Sequence, residues 1–405
     1  MSELLSFKYR YLEREMKKIL KMLLGLFLGS AIGLLIGGVF YVVFSGGTFS
    51  EYFGKLSSID GLKMFELIGL MVFWTLVSVV LQIIIHEGGH LVAGLLTGYR
   101  FVSFRVFSLT LIKKAGRLMF RRFSIGGTGG QCLMSPPDRP LDQIDTRLYN
   151  LGGVLANLLV SVVALTIFFL YDLPTWAGTW MLMMGIIGLI YTLLNGLPLK
   201  IGGISNDGHN LLHLEKSPLD KRLLCQMLRT NASVQEGVQP KDLPAEYFAP
   251  TDSIDWGDGI QTNWQMMVVS RMENLHQWDE AWQLLHEAVG AQKVMPRVFW
   301  MEAVCEMIFV CLAKTCADKE HAEGGYIDEA RALYTPAIRK YVEAYARTQS
   351  SKQRVAFAVA LVMENNREEA AQILSQLKSD RQQYLLQGEV DMDIELMEWM
   401  TLNCH

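Results

Sequence analysis

The residues best suited to chemistry in this chain stand together as His86-Glu87-Gly88-Gly89-His90, inside the otherwise uncharged run of residues 81–98. That context forms a helix. On a helix, a spacing of four sets both imidazoles on one face a turn apart, where they can grip one metal ion, while Glu87 can reach a water there as general base. Zinc (Zn2+) is the expected cofactor, because it lowers the pKa of its water to about 7 and makes hydroxide available at neutral pH. The expected ligands from this helix are His86 and His90, and the expected catalytic base is Glu87.

A hydrolytic zinc site takes a third protein ligand and keeps one position open. Asp207 meets that demand, since it follows Asn195-Gly196-Leu197-Pro198 and the stretch 199–206, just beyond an apolar segment that ends at Leu197. His209 and His213, also four apart, compete for the role. Their plainer reading is as polar residues on a cytoplasmic helix.

His-Glu-x-x-His followed later by Asn-x-x-Pro and Asp-Gly resembles the site-2 protease family of intramembrane metalloproteases, over roughly residues 67–213. The resemblance implies that His86, His90 and Asp207 ligate zinc, that Glu87 is the catalytic base, and that Asn195 lines the site. Gly153-Val154-Leu155-Ala156-Asn157 is similar to the Gly-Pro-x-x-Asn of the family's middle core helix, with Val154 where proline is usual. The stretch from Asn195 to Asp207 is longer than the family's common spacing. Two rivals stand beside this reading. A membrane protease of the type that trims prenylated proteins would need a glutamate as third ligand, and no later glutamate sits at a span end. A catalytically idle scaffold would have no use for Glu87.

Elements able to position these residues are legible in the hydropathy. Uncharged stretches at 22–44, 67–85, 150–171 and 176–197 are each long enough to cross a hydrocarbon core of about 30 Å. Backbone in lipid must satisfy its own hydrogen bonds, so these segments are expected as helices. Lys8, Arg10, Arg14, Lys17, Lys18 and Lys21 precede the first, and nine basic residues from Arg100 to Arg147 separate the second from the third. Those flanks, and hence both termini, are expected on the cytoplasmic side. Eight uncharged residues follow His90 as far as Gly98, which sets the metal about 12 Å below that surface on an upright helix. Each ionisable side chain at such depth costs about 2.5–3.5 kcal/mol, so three in five residues need a shared purpose.

The β-branched and aromatic runs 101–113 and 117–124, joined at Lys114-Ala115-Gly116, predict a hairpin whose edge could add a strand to an unwound substrate. Gly126, Gly127, Gly129, Gly130 and Pro136-Pro137 predict an irregular return to the third span. After Glu215 the chain turns polar, with amphipathic helical patterns at 264–289, 298–315, 327–347 and 353–377. Three phrases there resemble one another, Trp278-Asp279-Glu280-Ala281, Ile327-Asp328-Glu329-Ala330 and Arg367-Glu368-Glu369-Ala370, at unequal spacings.

The fold class expected is mainly α: a polytopic membrane helical bundle of about four spans with a small β-hairpin, then a soluble, repeat-like α-helical domain. The expected domains are residues 1–214 and 215–405. A hydrophobic content of 51% suits a membrane protein, and a net charge of -4 offers nothing to a nucleic acid. The six cysteines form no Cys-x-x-Cys pair and are expected as reduced thiols. The expected activity is a zinc metalloendopeptidase of a bacterial cytoplasmic membrane. Its expected partners are the lipid bilayer, a transmembrane or membrane-associated peptide substrate, and a cytosolic protein at the C-terminal domain.

Overall fold

The computed structural model describes residues 35–404, apart from 36, 40, 44, 59, 115, 124–128, 202, 250, 252 and 318–324. Most of the first expected span, at 22–44, lies outside the described residues. Among those described, three helices are long and apolar enough to cross a membrane. The chain divides into two compact units, Met1–Phe73 and Trp74–His405.

In the first unit, Thr48 and Glu51 close a reciprocal box at the start of α1 (Phe49–Ser57). The Glu51 carboxylate accepts from the Thr48 N–H at 2.9 Å, and the Thr48 hydroxyl accepts from the Glu51 N–H at 3.2 Å. The long helix α2 (Gly61–Leu96) starts in this unit and continues into the second. It carries both the expected second span and residues His86–His90 without interruption. Gly98, at a φ of 87°, ends it by letting Tyr99 N–H turn back to the Gly94 carbonyl at 2.9 Å.

In the second unit, α3 (Arg147–Leu170) and α4 (Thr175–Gly196) pack against each other as a pair of helices joined by a short turn. Their surfaces are inverted relative to a soluble helix. Along α3 the buried stripe is Asn150, Gly153, Asn157, Ser161 and Ala164, whereas Leu159, Val162, Phe169 and Leu170 are exposed. Small and polar residues inside with large apolar ones outside is the pattern that lipid favours, because packing and hydrogen bonds drive association there. Trp74 of α2 stacks on Trp180 of α4 at 5.1 Å.

Between α2 and α3 lies an antiparallel sheet ordered β3-β2-β1-β4, made of β1 (Arg100–Val106), β2 (Leu109–Lys114), β3 (Arg117–Arg122) and β4 (Gly130–Ser135). The expected two-stranded hairpin is thereby corrected. Its first run, 101–113, folds back on itself at Phe107, which adopts a φ of 52° that is uncommon outside glycine and asparagine. The expected irregular return contains β4, which takes the remaining edge of β1.

After α4 comes a two-stranded hairpin, β5 (Lys200–Ile201) and β6 (Ile204–Ser205), followed by α5 (Asp207–Leu214) and α6 (Pro218–Glu236). Helix α6 lies against β4, placing Cys225 with Cys132 and Met134, and Ala232 with Val102 and Leu133. The remaining helices are α7 (Gly259–Asn274), α8 (Trp278–Gly290), α9 (Arg297–Ala317), α10 (Gly325–Leu333), α11 (Pro336–Tyr345), α12 (Ser350–Ala358), α13 (Arg367–Asp380) and α14 (Gln387–Asn403). Three of the expected helical stretches are each split in two: at His276 (φ 56°), before Pro336, and near Asn365 (φ 50°). The three similar phrases have a common structural use. Each stands in the first turns of a helix and buries its alanine, Ala281, Ala330 or Ala370, where helices meet closely.

One cysteine expectation is overturned. Cys316 and Cys404 form a disulfide, while Cys132, Cys225, Cys305 and Cys311 are free and buried. The pair lies 88 residues apart, so only the return of α14 to the end of α9 brings the two sulfurs together.

Candidate metal centre

Helix α2 presents Gln82, His86 and His90 on one face toward α3, and all three are buried. At Gly89 and Gly152 the two helices meet backbone to backbone. A Cβ on Gly89 would lie 2.2 Å from the Gly152 carbonyl oxygen, and one on Gly152 would lie 2.4 Å from that of Gly89. A Cβ on Gly153 would fall 2.6 Å from both His86 Cε1 and His90 Nε2, so the imidazoles occupy the space a larger residue would fill. Gly88 has open space on that side and plays no such part.

Hydrogen bonds fix how each ring is turned. The Asn157 amide nitrogen donates to Gln82 Oε1 at 2.6 Å and to the Gln82 carbonyl at 2.9 Å. Its Oδ1 is therefore left to accept from His86 Nδ1 at 2.7 Å. His90 Nδ1 lies 2.7 Å from the Tyr149 carbonyl, which can only accept. Both Nδ1 atoms are thus engaged as donors, and both Nε2 atoms turn into the same space.

Asp207 enters that space from the first turn of α5. Asn206 sets the turn: its Oδ1 accepts from His209 N–H at 2.9 Å, and its Nδ2 donates to the Leu194 and Leu197 carbonyls at 2.7 and 2.6 Å. Gly208 allows α5 onto the end of α4, since a Cβ there would lie 2.2 Å from the Gly196 carbonyl oxygen. Asp207 Oδ2 comes 3.0 Å from His86 Nε2 and 3.4 Å from His90 Nε2, and the two nitrogens are 3.2 Å apart. The three atoms converge in one buried space, where Asp207 Oδ2 has no partner other than the two imidazoles. With both imidazoles neutral, such a set of donors could hold a metal ion. Ligands held about 2.0–2.1 Å from a tetrahedral zinc stand about 3.3 Å from each other, which is the spacing found.

No protein-family model, curated protein or solved structure matches the chain. The site therefore has to be read from its own chemistry.

Glu87 is buried on the neighbouring face of α2, against the start of β4. A Cβ on Gly130 would lie 2.6 Å from Glu87 Oε1 and 2.9 Å from Ile83 Cγ2, so only glycine lets this strand lie on the helix here. Arg105, itself buried, holds the strand end by donating to the carbonyls of Phe107 at 2.7 Å and Gly130 at 3.3 Å. Cys132 is the nearest competing donor by residue type. Burial raises its thiol, and its sulfur is not among the atoms that converge with those of His86, His90 and Asp207.

The expected residues divide as follows. His86, His90 and Asp207 come together, and no glutamate belongs to that group among the described residues. Asn195 does not hydrogen-bond to the three; its Nδ2 donates back along α4 to the Tyr191 carbonyl at 3.1 Å. His209 lies beside His213, with ring centroids 5.1 Å apart, and His213 turns away to Asp220 Oδ2 at 2.7 Å. Sequence reasoning missed Gln82, Tyr149 and Arg105, and it noted Asn157 without its role. Gln82 had a signal: it lies one turn before His86 in an uncharged helix, where a polar side chain needs a partner.

Proposed function

We propose that the chain is an intramembrane zinc metalloprotease, a bacterial-type relative of the site-2 proteases, cutting a membrane-embedded or membrane-adjacent peptide near the cytoplasmic face. The observation that carries this reading is the convergence of His86 Nε2, His90 Nε2 and Asp207 Oδ2 within 3.4 Å of one another, set among apolar helices. His86, His90 and Asp207 would hold the ion. When bound, zinc supplies a Lewis acid that polarises the scissile carbonyl and brings the pKa of water near 7.

The chain's own residues do the rest. Glu87 takes the proton of the attacking water on a carboxylate oxygen and passes it to the departing amide nitrogen, as a general base and then a general acid. Asn157 and Tyr149 keep the imidazole lone pairs aimed throughout by retaining the protons on Nδ1. A substrate helix must unwind before hydrolysis, and its freed backbone needs partners in lipid. The strand beside Glu87 is β4, at one edge of the sheet, so in this reading β4 receives the extended peptide instead of the expected hairpin over 101–124. Asn195 then serves the end of α4.

The basic flanks of the spans favour a cytoplasmic membrane with both termini inside. The decisive experiment compares wild type with Glu87→Gln by metal analysis and by membrane proteomics. Retained zinc with loss of a cleavage fragment, at a rate lower by about 10²–10⁴-fold, is expected. An unchanged fragment pattern would instead favour an idle scaffold.

A further inference from the structure

The segment between α4 and Asp207 is not a slack loop. Its base is closed by Asn206, whose N–H donates to the Leu199 carbonyl and whose Oδ1 accepts from Leu199 N–H, both at 3.1 Å. The residue after this clamp is Asp207. The other end of the hairpin reaches the helical region that starts at α7. A Cβ on Gly203 would lie 2.2 Å from Pro296 Cγ, and one on Gly259 would lie 2.6 Å from the Gly203 carbonyl oxygen. Gly203 also sits at a φ of 87°, so both the backbone and the contact require glycine.

Charged groups fasten the same junction. Lys200 Nζ of β5 is 3.2 Å from Asp258 Oδ2, while Asp258 Oδ1 caps α7 through the N–H groups of Ile260 and Gln261 at 2.8 and 3.2 Å. On the far side of Asp207, His213 of α5 meets Asp220 Oδ2 at 2.7 Å and Asp258 Oδ2 at 3.7 Å. Gln261 donates to Asp220 Oδ1 at 2.9 Å, tying α6 to α7. His213, Asp220 and Asp258 are close enough to hold a cation of their own, but the Lys200 ammonium already supplies the positive charge there.

We infer that the C-terminal helical region positions the third metal ligand, by gripping the hairpin before Asp207 and the helix after it. Lys200, Gly203, His213, Asp220 and Asp258 are positioning residues, and the helical region is a working part of the metal centre. This rests on the reading of Asp207 as a ligand. It predicts that disturbing a junction outside the apolar bundle weakens metal binding inside it.

The test measures zinc affinity by chelator competition, and the absorption spectrum of the Co2+-substituted protein, on the full chain in detergent. Gly203→Asn keeps a residue that tolerates positive φ but drives a side chain into Pro296. The expected result is an affinity weaker by about 10–100-fold with an altered Co2+ spectrum, the size seen when groups behind a ligand are lost. Adding Pro296→Gly removes the ring and should restore both. Lys200→Ala should weaken binding, and Lys200→Arg should retain it, which keeps the idea testable if Gly203→Asn fails to fold. Wild-type affinity and spectrum in both Gly203→Asn and Lys200→Ala would overturn the inference while leaving the metal centre intact. A wild-type chain that binds no zinc more tightly than Asp207→Ala would remove the metal reading itself, and the inference with it.

Discussion

Two regions of this molecule bury polar groups, and they do so to opposite ends. In the apolar bundle, neutral amides and imidazoles form a directed chain from Gln82 through Asn157 to His86, and the chain finishes in lone pairs that face a carboxylate oxygen. In the helical region, Arg354 is buried against Glu273 Oε2 at 2.7 Å and Asp393 Oδ1 at 3.2 Å, with Glu306 beside it, while Lys352 meets Glu302 at 2.5 Å. The Arg354 guanidinium also lies 4.0 Å from the Phe309 ring centroid. Here the cations come from the chain. The first cluster contains no Lys or Arg, whereas the second sets its carboxylates against Arg354 and Lys352, so burial of polarity alone does not mark a functional site.

That contrast can be broken from either side. The largest structural effect is expected from Arg354→Met, which strands several buried carboxylates and should cost about 3–5 kcal/mol, read as a lowered midpoint of unfolding for the helical region. Metal content per folded molecule should not fall in proportion; if stability is unchanged, the ion-paired description of this core fails. Next in size is Cys404→Ser, which opens the Cys316 link at the end of α9. A loss of about 2–4 kcal/mol is expected by chemical denaturation, and reductant should abolish the difference from wild type.

Asn157→Ala leaves every ligand in place but removes the acceptor that holds the proton on His86 Nδ1. Zinc affinity should fall about 10–100-fold, and an affinity equal to wild type would show that ring orientation is set elsewhere. The smallest effect is a pH dependence confined to the helical region. Burial pushes the Glu273 carboxyl from 4.5 up to about 8, and Asp393 is raised to about 6. The folded chain thus keeps protons that the unfolded chain releases. Stability should be fullest below about pH 4.5 and decline as pH climbs through 8, which thermal unfolding across that window can follow. Glu273→Gln should flatten the slope.

Much of the bundle was legible along the chain. Hydropathy marks the spans near 67–85, 150–171 and 176–197 because lipid demands apolar surface over a set length. The sheet was read in part: Phe107 turns the chain through a backbone conformation its side chain does not advertise, so one expected strand became β1 and β2. The helical region was read as helices but without their breaks, since His276 and Asn365 terminate helices through local φ values.

His86, Glu87 and His90 are related by one helical turn, a distance that sequence spacing sets directly, and so the facing imidazole pair and its neighbouring carboxylate were decided by sequence alone. Which residue completes the group was not. Asp207, His209 and His213 stand within seven positions of one another, and the choice came from the contact of Gly208 with the end of α4 and from Asp220 and Asp258 drawing His213 away. The Cys316–Cys404 link and the approach of β4 to Glu87 belong to the same class. Local periodicity reports which face a side chain shares, whereas partners tens of residues apart are fixed only when packing brings their backbones together.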